Sequence, residues 1–221
     1  MSTKKTRIER KFVFGKNNKE NIEKFLLINN FKKAYPDRKI NSIYLDTENF
    51  DNVRDNINGV STRKKLRIRW YNDDFNKMYV EIKNKNNFNV WKNIFKIKYN
   101  FNKETLLEDL KKYFYDLKNH KINSHNYNFI LLINYFRSYW LSKNRKIRAT
   151  IDNNISTKSL CNNSNRIDLN DTVLEFKFSP IDENYFRELS LKRNLNIRTQ
   201  KYSKYVRSFI SLENSGLIKT T

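Results

Sequence analysis

A chain of 221 residues is long enough for one domain with a full core. Lys and Arg number 45 against 23 Asp and Glu, and the formal charge of +22 points to an anionic partner: nucleic acid, a membrane surface or polyphosphate. A single cysteine, Cys161, excludes an internal disulfide and a Cys-based zinc site, and the longest apolar run, Phe129–Ile133, falls far short of the roughly 20 residues that span a bilayer.

In chain order, period-two alternation predicts a first strand over Arg7–Phe14. Apolar residues at Ile22, Phe25 and Leu26 predict a helix over about 18–31. Strands follow over Lys39–Asp46, Lys65–Tyr71, Met78–Lys85 and Trp91–Tyr99. Leu106, Leu107, Leu110, Phe114 and Leu117 predict a helix over about 103–118. Asn128–Trp140 and Lys146–Asp152 form one long hairpin turning at Ser142–Asn144, and Thr172–Phe178 is a further strand. Short helices are predicted around Tyr185, Phe186 and Leu189, and around Tyr205, Val206, Phe209 and Ile210. With three glycines and two prolines, no Gly/Ser linker and no repeat, the expectation is a single domain over 1–213 with a frayed tail over 214–221. The class is α+β, with an antiparallel sheet or barrel of about eight strands. The start MSTKKTRIERKF has no apolar stretch behind its charges, so no signal peptide is expected, and a reducing, cytoplasmic setting fits.

Alternation sorts the charges onto one face of each strand. Leu66, Ile68 and Trp70 oppose Lys65, Arg67 and Arg69; Val80 and Ile82 oppose Glu81, Lys83 and Lys85. Ile147, Ala149 and Ile151 oppose Lys146, Arg148, Thr150 and Asp152, and Leu174, Phe176 and Phe178 oppose Glu175 and Lys177. In the first strand Ile8, Phe12 and Phe14 oppose Arg7, Glu9 and Lys11, with Arg10 spoiling the apolar side. A solvated sheet face does the same, and a composition rich in Asn, Lys and Ile inflates the lysine count. Repeated Arg and Lys in alternate places, less expected of a solvated face, have a second explanation, a barrel with a basic polar lumen. Such a lumen is costly when empty, and a phosphate chain would relieve it through charge-assisted hydrogen bonds. A Glu in that field is either a local counter-ion or a ligand holding a divalent cation against phosphate oxygens. Gly15, Gly59 and Gly216 cannot supply a Walker loop. His120 and His125 lie in a polar connection and are expected to be solvated.

SIYLDT (Ser42–Thr47), RKKLRIRWY (Arg63–Tyr71) and YVEIKNK (Tyr79–Lys85) resemble the polyphosphate polymerase domain of the vacuolar transporter chaperone (VTC) type, among the triphosphate tunnel metalloenzymes. RIERKF, NYFRSYW, KIRATID, LEFKF and KYSKYVRSF continue the resemblance in order over about residues 7–210. The resemblance implies a tunnel of antiparallel strands with helices outside. It makes Arg67 and Arg69 the paired tunnel arginines, and Lys83 the lysine after the strand glutamate. Tyr135 and Arg137 match its Tyr-x-Arg strand, and Arg148 the arginine of the next. Glu175 would be the metal-binding glutamate with Lys177 beside it. Lys201, Ser203 and Lys204 match the Lys-x-Ser-Lys cluster at the last helix, and Lys11 the lysine of the first strand; Lys92 or Lys96 would be a further one. The tunnel hydrolases begin with Glu-x-Glu-x-Lys. Here that stretch reads Arg7-Ile8-Glu9-Arg10-Lys11, which favours the polymerase branch and leaves Glu9 as the second acidic candidate.

The implied activity is transfer of the γ-phosphoryl of ATP, or another nucleoside triphosphate, to growing inorganic polyphosphate. It would need Mn2+ or Mg2+ at Glu175, and association with a membrane partner is compatible with it. The competing readings are a triphosphate or tripolyphosphate hydrolase, a non-catalytic polyphosphate-binding domain and, against expectation, a nucleic-acid binder.

Overall fold

The computed structural model describes residues 7–87, 89–99, 101, 104–117, 127–162, 165–189 and 198–219. His120 and His125 lie outside them. Nine strands form one sheet: β1 (Ile8–Gly15), β2 (Phe31–Asp46), β3 (Thr62–Tyr71), β4 (Tyr79–Asn86), β5 (Asn89–Lys96), β6 (Asn128–Ser142), β7 (Arg148–Ser159), β8 (Ile167–Asp168) and β9 (Asp171–Phe178). The order is β1-β9-β7-β6-β2-β3-β4-β5, with β8 on β7. The α+β class and the antiparallel sheet are as the alternation predicts. The tunnel-like barrel is also as expected; among the described residues its hydrogen-bonded order is a path with β1 and β5 at its ends.

Among the described residues five α-helices accompany the strands: α1 (Lys19–Ile28), α2 (Asp51–Ile57), α3 (Leu106–Leu117), α4 (Glu183–Glu188) and α5 (Lys204–Asn214). Four stand where apolar spacing puts them. α2 does not announce itself by spacing, because its anchor is outside it. The Asp46 carboxylate at the end of β2 accepts the backbone N–H of Asn52 at 2.9 Å and of Val53 at 3.1 Å, satisfying orphan donors of the first turn. α2 and α5 both end on a left-handed glycine, Gly59 (φ 71°) and Gly216 (φ 69°). The amide five positions on closes each turn: Val60 N–H to the Asp55 carbonyl at 3.0 Å, Leu217 N–H to the Leu212 carbonyl at 2.8 Å. Ile218 beyond is buried, and the Leu217 carbonyl accepts from Asn162.

The chain divides into two compact units. The first is Met1–Lys39, Tyr135–Ile155 and Asp168–Ser203; the second is Ile40–Asn134, Ser156–Ile167 and Lys204–Thr221. In the first, Ile22, Phe25 and Leu26 of α1 and Phe186 of α4 pack on Phe12, Ile151, Leu174, Phe176 and Phe178. Arg10, on the same side of β1, does not break this core because its guanidinium reaches out to Glu183 of α4 at 3.3 Å. In the second, Leu110 and Phe114 of α3 pack on Ile43, Leu66, Ile68, Trp70 and Val80. Each unit thus buries the apolar side of its strands under helices and turns the charged side the other way.

β2 begins eight residues before the predicted Lys39. Its first half is polar and carries Pro36, so it shows no buried face in the sequence. Cross-strand contacts hold it: Tyr35 meets Tyr139 edge-on at 5.9 Å, and the Lys33 ammonium lies 5.7 Å over the Trp140 ring.

Candidate functional site

In the second unit, strand register builds a grid of side chains. Antiparallel partners share a face. Arg67 of β3 stands opposite Glu81 of β4, Lys65 opposite Lys83, Arg63 opposite Lys85 and Arg69 opposite Tyr79. On β5, Lys92 stands opposite Lys83 and Lys96 opposite Tyr79. This face therefore carries Arg63, Lys65, Arg67, Arg69, Lys83, Lys85, Lys92 and Lys96 with one carboxylate, Glu81.

Glu81 is the hub. The Arg67 Nε donates to its Oε2 at 2.6 Å, the Arg69 guanidinium lies 3.7 Å from the same oxygen, and the Lys92 ammonium binds Oε1. Burial works against its charge, but Arg67, Arg69 and Lys92 outweigh burial and hold the carboxyl at about 2. For Lys92, burial and the two arginines together lower the pKa despite the Glu81 contact. Glu81 is a buried counter-ion within a cation excess, and Lys92, not Lys96, is the β5 lysine it gathers. On β2, Ser42 accepts from Arg69 Nε at 3.1 Å, and the Tyr44 hydroxyl accepts from Arg67 Nη1 at 3.0 Å.

Lys204 opens α5, and the next residue, Tyr205, is clamped. Its ring stacks on Tyr44 with centroids 4.6 Å apart and planes 3° from parallel, and its hydroxyl donates to Asp46 at 2.6 Å. Burial raises the Tyr205 pKa well above the ordinary value, and the Asp46 charge adds to it. Burial of Tyr44 opposes its ionisation, but Arg67, Arg69 and Lys204 outweigh it and lower its pKa.

The first unit holds a second cluster. Register places Lys11 opposite Glu175 and Glu9 opposite Lys177, with Thr150 and Arg148 of β7 on their other side. The Lys177 ammonium lies 3.3 Å from Glu175 and 3.6 Å from Glu9, so it bridges two carboxylates. Glu175 is buried and Arg148 exposed. Arg137 of β6 grips Asp152 of β7 with two parallel bonds, of 2.5 and 2.7 Å, and sits 5.4 Å from the Tyr135 ring centre. Burial would lower the Arg137 pKa, but Asp152, with Tyr135 and Glu175, raises it well above the ordinary value. The Lys11 ammonium binds the Tyr202 carbonyl at 2.9 Å, its own carbonyl accepts the Gln200 N–H at 2.9 Å, and Tyr202 donates to Asp171 at 3.0 Å. These bonds fix the stretch carrying Lys201 and Ser203.

The sequence-derived residues thus fall into two sets. Arg67, Arg69, Lys83 and Lys204 belong to the second unit; Glu9, Lys11, Tyr135, Arg137, Arg148, Glu175, Lys177, Lys201 and Ser203 to the first. Sequence reasoning left out Tyr44, Asp46 and Tyr205. The alternation Ser42-Tyr44-Asp46 was the available signal, since it sets those three on the face that meets Arg69 and Arg67.

No group of three or more His, Cys, Asp or Glu suited to a metal occurs among the described residues. Glu175, with Glu9 across Lys177, does not fit an all-protein cage. It fits a Mg2+- or Mn2+-type ion that takes one or two carboxylates and completes its shell with phosphate oxygens and water. Glu81, saturated by cations, does not fit a metal. No helix among the described residues is long and apolar enough to cross a membrane.

The fold is shared with solved structures at low identity. A candidate adenylyl cyclase from Hippeastrum, described as having a dominant triphosphatase activity, aligns with a TM-score of 0.54 at 14% identity, over 96% of this chain and 97% of that one. A candidate adenylate cyclase from Vibrio parahaemolyticus gives 0.53 at 11%, over 92% and 97%, and one from Bacillus halodurans 0.52 at 14%, over 90% and 95%. No curated protein matches the sequence. The VTC domain model matches residues 5–213, nearly the whole chain and both charged clusters, and the chain belongs to the VTC domain family.

Proposed function

We propose that this protein binds inorganic polyphosphate and extends it with the γ-phosphoryl of ATP, in a reaction that uses Mn2+ or Mg2+. The observation that supports it most is the face of β3–β5, where register sets eight cations on the same side as one carboxylate. Such an excess is relieved by a ligand with several negative charges at short, regular spacing. In the transfer, the bond from the γ-phosphorus to the β–γ bridging oxygen breaks. A bond from a terminal oxygen of the acceptor chain to that phosphorus forms, and ADP leaves. The chemistry needs positioning and charge neutralisation more than it needs a base. Arg67, Arg69, Lys83 and Lys204 hold phosphates in the second unit. Arg137, Arg148, Lys11, Lys177, Lys201 and Ser203 do so in the first, with Tyr135 bracing Arg137. A divalent cation at Glu175 would supply charge neutralisation of phosphate oxygens.

The test is incubation with ATP and Mn2+, with products resolved on a gel. A ladder of polyphosphate, lost in Glu175→Gln and Arg67→Ala, is expected. Hydrolysis is the second reading, favoured by the triphosphatase described for the Hippeastrum protein of the same fold. Orthophosphate release from tripolyphosphate without a ladder would replace the first reading by the second. Tight DNA binding indifferent to Arg67→Ala would set both aside.

A further inference from the structure

We propose that the Tyr44 hydroxyl is a further phosphate-binding group, which donates its proton to a phosphate oxygen held by Arg67. The proposal rests on the polyphosphate reading above and assigns a role in it to a residue that reading does not use.

Register puts Tyr44 directly opposite Arg67, on the cationic face. The Arg67 Nη1 donates to the phenolic oxygen at 3.0 Å. A guanidinium has no acceptor, so this bond occupies a lone pair of the tyrosine and leaves its proton unused. Among the described residues, no bond takes that proton. The hydroxyl lies in the field of Arg67, Arg69 and Lys204, which ease its ionisation against the effect of burial. The same field makes the O–H a stronger donor toward an anion.

The ring cannot swing away from this position. Tyr44 is 6% exposed and lies flat against Tyr205, 4.6 Å away. Tyr205 is fixed in turn by its 2.6 Å bond to the fully buried Asp46, which accepts three backbone N–H groups as well. A donor held this firmly has little freedom left to lose on binding, so nearly all of its bond energy counts toward the ligand.

The test is calorimetric titration of the full chain with tripolyphosphate in EDTA, so that metal loading plays no part. Tyr44→Phe keeps the ring stack and removes the hydroxyl, which is both the proton donor and the acceptor of the Arg67 bond. It should weaken binding about tenfold, in line with a hydrogen bond to a charged group, with a modest fall in the denaturation midpoint. Tyr205→Phe keeps the stack but removes the Asp46 bond. It should lower the midpoint and leave the affinity within about twofold. Wild-type affinity in Tyr44→Phe overturns the proposal. So does an equal weakening in Tyr205→Phe, which would show that the stack acts and not the proton. If the wild-type protein does not bind tripolyphosphate, the polyphosphate reading itself falls, and the Tyr44 role with it.

Discussion

The two charged clusters solve the same problem in opposite ways. Around Glu81, three cations share one carboxylate, and register sets further lysines on the same face. Around Glu175, Lys177 serves two carboxylates, and Arg137 is matched by Asp152 with both its bonds. The first arrangement gathers several cations on a single acid, whereas the second shares one lysine between two acids and pairs an arginine with a third. Composition alone does not distinguish the two.

The comparison is tested hardest at Asp152. Asp152→Asn removes a fully buried carboxylate from a part-buried guanidinium and should cost about 3 kcal/mol in chemical denaturation. A loss under about 1 kcal/mol would show that Arg137 is not balanced internally and that the contrast is false. Glu81→Gln should cost less, about 2 kcal/mol, because Arg67 and Lys92 reach partly into solvent. It should also strengthen tripolyphosphate binding by adding to the cation excess.

The pH dependence follows from the depressed Glu81 pKa. Its stabilising contribution is complete above the unfolded value of about 4.3 and is lost as pH falls through about 2. Wild-type stability should decline across that window more steeply than that of Glu81→Gln, as read from denaturant midpoints. Smallest is the pair Lys92→Ala and Lys96→Ala. The first should raise the titration midpoint of Glu81, followed by NMR, and the second should leave it in place.

Much of this was legible in the sequence, for a physical reason. Alternation is enforced residue by residue wherever one face is buried. Leu66, Ile68 and Trp70 therefore fixed the side on which Lys65, Arg67 and Arg69 must lie. The unread parts depend on contacts distant along the chain. The first half of β2 has no buried face, and rings on β6 hold it. α2 depends on a carboxylate five residues upstream of its start. The choice between Lys92 and Lys96, two residues apart on one face, depends on the pairing of β5 with β4. Tyr44 looks like any strand tyrosine until Tyr205, far away in sequence, is laid against it.

The bond between Lys11 and Tyr202 joins residues 191 positions apart, and that between Asp46 and Tyr205 spans 159. Each unit is thus latched by a segment far along the chain. Neither can reach its final form before residues 202–205 have been made, because each latch closes a long loop. Refolding should show a late phase in which both latches set, and a chain stopped before residue 200 should fold into neither unit completely.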